Sequence, residues 1–402
     1  MSALLLAVIY LVFISLGLPD SLIGSSWPVI SAELQVDEGM QGAVTIIVSA
    51  GTIISSFATG WLNRKLKPYG TVVVSILLTV TGLLGFFFSK EFYHLCLAAV
   101  PLGLGAGAID ATLNNYVANN YKAIQLNFLH AFWGLGAAVS PLIISEFLTN
   151  GMGWRYGALT LGAIQGAIFL IALSIIPIWR KADSKRDELE QEEASAKLGF
   201  FKTFRINGVA LAVIGFFCYI AVEQTSLNWF SSYAVFGFAV EENIASRWAS
   251  YFFIAITAGR MLSGILSLKI KDHNLMRIGE GIIAAGILLL AIGGANPYLL
   301  PVGISLVGLG CAPVYPSIIH STPTRFTPSF SASVMAVQIG CAYLSNVSAS
   351  PLFGVIGQYA GFVYYPYYLL AFLVVLTLCN EAVRYKQRRG VCGTLKSNTT
   401  SN

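Results

Sequence analysis

The chain has 402 residues, of which 56% are hydrophobic and only 11% charged, with a mean hydropathy of +0.71. No soluble core needs that much apolar surface, so the composition excludes an ordinary cytosolic domain and describes an all-α polytopic membrane protein. The formal net charge of +5 follows from loop topology and does not point to a nucleic-acid partner.

Apolar runs near the ~20 residues that cross a bilayer predict twelve helices, at 3–30, 40–62, 70–89, 92–120, 124–148, 154–179, 207–236, 244–268, 274–295, 298–320, 331–356 and 361–385. The first run lacks a basic n-region and continues past Pro19 and Asp20 to Trp27 and Pro28, so it reads as a retained helix and not a cleaved signal. Residues 180–206 carry charges of both signs and read as a solvated linker, and 386–402 read as a tail. With the N-terminus inside, twenty Lys and Arg fall on the cytoplasmic side and three, Lys90, Arg155 and Arg247, on the other. Both termini are therefore expected in the cytoplasm. Six cysteines show no metal or CxxC spacing and read as packing residues.

Residues 1–179 and 207–385 repeat weakly at an offset near 204 residues. Gly60-Trp-Leu-Asn-Arg-Lys-Leu-Lys67 pairs with Gly264-Ile-Leu-Ser-Leu-Lys-Ile-Lys271, and Leu102-Gly-Leu-Gly105 with Val307-Gly-Leu-Gly310. That register sets Asp110 opposite Tyr315, while Asp20 and Trp27 correspond to Glu223 and Trp229. A parallel repeat of six helices each is the architecture of major facilitator transporters, whose solute site lies near the midplane between the halves.

Asp20 and Asp110 sit inside membrane-length apolar runs. A charge at bilayer depth costs roughly 2.5–3.5 kcal/mol on insertion scales, so such a residue usually faces a protein-lined cavity and serves transport. A proton-coupled carrier needs a carboxylate that gains and loses a proton at working pH, a property that burial confers. Pro19 beside Asp20 removes a backbone donor and predicts an interrupted first helix, which suits a midplane site. Amide, hydroxyl and aromatic groups that could hold a polar solute are Asn114, Asn115 and Asn119, His130 and Trp133, Gln224, Asn228 and Trp229, Tyr315, Gln338 and Asn346, with Glu223 as a third buried acid. Asn114 shares a helical face with Asp110, and Asn115 shares one with Asn119; the Asp110 face is expected to line the cavity. Structural contacts between helices account for the same residue types. Glu280 and His320 fall near cytoplasmic helix ends and are expected in solvent.

Several segments resemble the fucose/proton symporter-like sugar transporters of the major facilitator superfamily: GAGAIDATLNNYV, LNFLHAF, AVEQTSLNW and GLGCAPVYPSI. The loop GWLNRKLKPYG is similar to the superfamily's G-x-L-x-D-R-x-G-R motif, with Asn63 in place of Asp. The resemblance implies uptake of a monosaccharide with a proton as coupling ion and no other cofactor. It implies that Asp110 is the main protonation site and Asp20 the sugar-linked acid. His130 stands where the resemblance leads one to expect Gln, and as an imidazole it is a candidate sugar ligand and coupling group. Arg64 and Arg260 are gating candidates. The alternatives are a multidrug or solute antiporter and a passive uniporter. Four histidines, His94, His130, His273 and His320, lie on separate segments without motif spacing, which argues against an enzyme or a metal site. A monomer in a bacterial inner membrane is expected.

Overall fold

The computed structural model describes residues 3–121, 123–184, 200–294, 296–392 and 394. The middle of the expected linker, most of the tail beyond Arg389, and the Asn119 side chain lie outside the described residues. The helices are, in order, α1 (Ala3–Asp20), α2 (Leu22–Leu34), α3 (Gln41–Phe88), α4 (Phe92–Asn120), α5 (Ala123–Thr149), α6 (Trp154–Ser174), α7 (Ile176–Ser184) and α8 (Phe200–Thr203). They continue as α9 (Val209–Phe238), α10 (Glu242–Leu266), α11 (Asp272–Ala291), α12 (Leu299–Arg325), α13 (Thr327–Ala360) and α14 (Tyr365–Arg388).

Among the described residues, eleven helices are long and apolar enough to cross a membrane. One of them, Glu38–Phe88, has 51 residues. At about 1.5 Å per residue it is more than twice the ~30 Å hydrocarbon thickness. It is broken at Lys67, whose φ of 61° and ψ of 161° are not helical. Pro68 supplies the cause, because it lacks an N–H and excludes α geometry from the residue before it. The sequence places a gap between two spans at this turn. The predicted sixth span, 154–179, is instead two helices, α6 and α7, divided at Ile175.

Apolar side chains such as Phe57, Leu97, Ile265 and Leu378 point outward, as a lipid solvent permits. Inside, Leu5, Ile9, Phe13, Ile76, Ile109 and Trp179 form one core, and Leu22, Trp27, Phe86 and Trp154 a second. The largest core joins Phe216, Trp229, Phe252, Ile283, Val307 and Tyr365 of the later helices and takes in Ala137 and Ala138 of α5. A fourth surrounds Ile206, Phe326 and Val383. Helices α3 and α4 touch backbone to backbone at Gly107, where a Cβ would stand 2.7 Å from the Thr52 Cα. Small residues allow such approach where lipid offers no hydrophobic drive between helices.

Two expectations about helix ends are corrected or refined. Glu280 is buried and not solvated, at 5% exposure. Its carboxylate accepts from Asn380 Nδ2 at 2.6 Å, so α14 supplies the partner that water was expected to supply. His320 is exposed, with Nδ1 2.9 Å from Asp272 Oδ2. Asn63, in the loop motif where an acid was expected, accepts from the Thr112 hydroxyl of α4 at 3.2 Å.

Candidate functional site

The site begins where the first membrane helix is interrupted. α1 ends on Asp20, Ser21 forms a turn, and α2 resumes at Leu22. Pro19 lies inside α1 and carries no N–H for the ladder. The Ser21 hydroxyl donates to the Ala137 carbonyl of α5 at 2.8 Å, which fixes the turn against its neighbour. Gly17 permits the crossing: a Cβ there would lie 2.7 Å from the Ala137 nitrogen and 3.1 Å from the Trp133 carbonyl carbon.

That crossing brings the Trp133 indole to the turn, where Nε1 donates to Asp20 Oδ2 at 2.7 Å. The Arg260 guanidinium of α10 lies 5.5 Å from the Trp133 ring centroid and pairs with Glu223 Oε1 at 3.3 Å. Glu223 also accepts from the Tyr219 hydroxyl, which in addition lies 3.1 Å from the Cys311 carbonyl. A continuous polar chain therefore runs from Asp20 through Trp133, Arg260 and Glu223 to Tyr219. A cation above an indole face and a buried carboxylate on its far side are each favourable.

One cavity of about 220 Å³ joins these elements, lined by Pro19, Asp20, Asp110, Trp133, Gln224, Asn228, Asn346 and several α3 residues. Both carboxylates predicted from the sequence face it. Asp110 Oδ1 accepts from Asn114 Nδ2 at 2.9 Å, so Asn114 orients the acid from the same helical face. Asn115 lies on the exposed side of α4.

Other predicted residues lie outside the cavity lining. His130 meets Phe13 edge-on, with centroids 6.0 Å apart. Trp229 is a core residue whose Nε1 donates to the Ser350 carbonyl at 2.7 Å. Tyr315 packs against Phe216 at 5.4 Å and Tyr219 at 6.2 Å. Gln338 is buried and accepts from the Thr322 hydroxyl at 3.1 Å. Glu223 belongs to the polar chain, and Arg64 sits exposed near the α3 break. Residues not singled out from the sequence also line the cavity: Thr45, Ser49 and Thr52 of α3 and Tyr343 of α13. The first three recur at i, i+4 and i+7, a polar stripe that helical spacing reveals.

A seal closes the cavity on the side of the α2–α3 connection. Gln41 Nε2 donates to the Asn228 carbonyl at 2.6 Å, and Asn228 Nδ2 donates to Ser350 Oγ at 3.0 Å. The Ser350 hydroxyl donates in turn to the Gln224 carbonyl at 3.4 Å. Gly24 presses on the backbone of Leu227 and Asn228, and Gly42 on Pro351. On the same side, the Ser145 hydroxyl donates to the Asn243 carbonyl at 2.8 Å and Ser246 to the Pro141 carbonyl at 3.0 Å.

Residues 9–293 match the family model described as the Major Facilitator Superfamily. The chain belongs to that superfamily. This major facilitator protein is thus a multi-pass membrane protein of a transporter family and not an enzyme. It is 24% identical over 261 residues to the glucose/mannose transporter GlcP of Bacillus subtilis, covering 63% of each chain. The chain thus spans less than two thirds of the length of GlcP. The fold is similar to that of the nucleoside transporter NupG, with a TM-score of 0.76 at 14% identity over 95% of this chain and 99% of that one. A D-xylose-proton symporter gives 0.70 at 13% identity over 99% of both chains.

Proposed function

We propose that this transporter takes up a monosaccharide together with a proton by alternating access. The observation that carries the reading is the single cavity in which Asp20 and Asp110 meet Gln224, Asn228 and Asn346 from later helices. Amides that donate and accept suit sugar hydroxyls, and the Trp133 ring offers an apolar face. The volume of about 220 Å³ falls below the range of about 300–1,000 Å³ found for drug-sized sites. Among the described residues, two carboxylates and no cation line the cavity, which disfavours an anionic solute. The reading is supported by the names of GlcP, a glucose/mannose transporter, and of a protein of similar fold, a D-xylose-proton symporter.

In this reading, residues 1–179 and 207–385 are two six-helix bundles, and counting α3 as two spans makes twelve, with both termini in the cytoplasm of a bacterial inner membrane. The protein acts as a monomer. Asp110, held by Asn114, is the main protonation site, and Asp20, held by Trp133, binds the sugar. The seal then lies on the outer side, and its opening alternates with access from the linker side. One proton moving down 100 mV supplies about 2.3 kcal/mol, enough for roughly 50-fold accumulation of a neutral solute.

The test is luminal pH in proteoliposomes, read with a trapped dye, as hexoses, pentoses and deoxy sugars are added without an imposed gradient. Acidification with one sugar, abolished by Asp110→Asn, is the expected outcome. Sugar counterflow without any proton movement leaves uniport and removes the coupling roles of both acids. Proton release driven by a lipophilic cation, with none for any sugar, replaces sugar uptake by antiport.

A further inference from the structure

We propose that a cationic recess at the ends of α10, α11, α12 and α14 is a second binding site, for a phosphate-type oxyanion. The recess, of about 670 Å³, is lined by Lys269, Lys271, His273, Arg325, Arg384 and Arg388. It contains none of the residues that line the solute cavity.

Arg325 decides the chemistry. It ends α12 with only 7% of its surface exposed. Its guanidinium reaches the Met276 thioether sulfur at 3.6 Å, a weak acceptor, and no carboxylate pairs with it among the described residues. A buried arginine without an anion is costly, and five fork-arranged donors make it selective for carboxylate or phosphate. The carboxylates nearby are engaged elsewhere. Asp272 is 2.9 Å from His320 Nδ1. Glu381 takes both Arg277 contacts at 2.5 Å, and Arg384 reaches it only at 4.0 Å. Glu280 accepts from Asn380.

The first turn of α11 opens at the same place. Its cap residue, Lys271, is extended and makes no side-chain cap hydrogen bond. The Asn274 N–H bonds back to the Lys271 carbonyl at 2.9 Å, so it is the positive end of the helix dipole that favours a tetrahedral oxyanion. Lys269, Lys271 and Arg388 surround the mouth as exposed cations. A phosphate group in the recess would answer both the fork of Arg325 and these cations. Two sources share that chemistry: the headgroup of an anionic phospholipid, which basic pockets between membrane helices bind, and free phosphate.

The experiment uses the full chain purified in nonionic detergent, with thermal unfolding followed by tryptophan fluorescence. One arm titrates inorganic phosphate against chloride at matched ionic strength. The other compares phosphatidylglycerol with phosphatidylcholine in mixed micelles. The variant Lys271→Gln/Arg388→Gln changes only exposed rim positions, and native mass spectrometry counts retained phospholipid independently of stability. A saturable rise in midpoint is expected for the wild-type chain, with half-saturation at least tenfold weaker in the variant. A rise with phosphate alone assigns the free anion; a rise with phosphatidylglycerol, together with retained lipid that the variant loses, assigns the headgroup. No saturable rise in either arm, or equal half-saturation and equal lipid retention in wild type and variant, overturns the proposal.

Discussion

Replacing Gly17 by alanine tests the helix crossing on which the cavity depends. The added methyl would stand 2.7 Å from the Ala137 nitrogen and 3.1 Å from the Trp133 carbonyl carbon. Ordinary contact begins at about 3.4 Å and the Trp133 carbonyl oxygen lies closer than either atom, so α1 and α5 must separate by more than about 0.7 Å, and backbone atoms give way less readily than side-chain ends. Overpacking of this kind costs about 1–3 kcal/mol. Because Trp133 rides on the same turn of α5, its indole leaves Asp20, and a misplacement near 1 Å costs about 100-fold in a positioned site. Gly166→Ala is the control, because nothing lies within 4 Å of that position. It should stabilise by about 0.5–1 kcal/mol, the usual helical preference for alanine over glycine. Unfolding midpoints of the purified proteins and uptake in proteoliposomes measure both. A Gly17→Ala chain that unfolds with the wild type and transports at more than half its rate would refute the reasoning.

Trp133→Phe keeps a ring near Arg260 but removes the donor to Asp20. A hydrogen bond to a charged group is worth about 1.5–3 kcal/mol, so solute affinity, read by equilibrium binding to the purified chain, should fall roughly tenfold or more while the midpoint moves little. Glu223→Gln leaves the Arg260 charge without its partner. A fully buried pair would lose about 3–5 kcal/mol, and the 18% exposure of Arg260 brings the expected loss toward the lower end. Thermal unfolding reads it, and Glu223→Gln/Arg260→Gln should regain part of the loss. Gln41→Ala removes a bond of about 1 kcal/mol from the seal. Amide exchange over residues 41–49 and 224–231 should then quicken about fivefold; unchanged exchange in both segments means that Gln41 does not hold the closure.

The helices were legible because a bilayer imposes a length and an apolar composition that few sequences meet by accident. The break at Pro19 and the turn at Lys67-Pro68 were legible because proline acts locally. Asp20, Asp110, Trp133, Gln224, Asn228 and Asn346 were identifiable as polar groups in apolar runs, and all six face one cavity. Rotation about a helix axis was harder to read where every face is apolar. Asn228 and Trp229 are neighbours about 100° apart, so one turns to the cavity and the other to the core; the i, i+4 pair Gln224 and Asn228 marks the wet face. Thr45, Ser49 and Thr52 escaped notice because single hydroxyls in a membrane helix commonly bond back to their own turn, as Thr45 does to the Gln41 carbonyl. Glu280 was misplaced because its partner, Asn380, lies 100 residues away.

The main-chain carbonyls of Gln224 and Asn228 hold the seal together with the Asn228 side-chain amide, and the same two residues line the cavity. Load applied by a solute to those amides is thus delivered to the closure with no intervening part, like a key whose bit and bow are one piece of metal. Mutational drift is constrained unequally in consequence. At Gln224 the cavity surface of α9 can exchange one amide or hydroxyl for another and change the solute it accepts, since the carbonyl acceptor belongs to every residue, whereas at Asn228 the side chain is also bonded to Ser350. The timing of opening survives such exchanges as long as the helix keeps its place against Gln41 and Ser350.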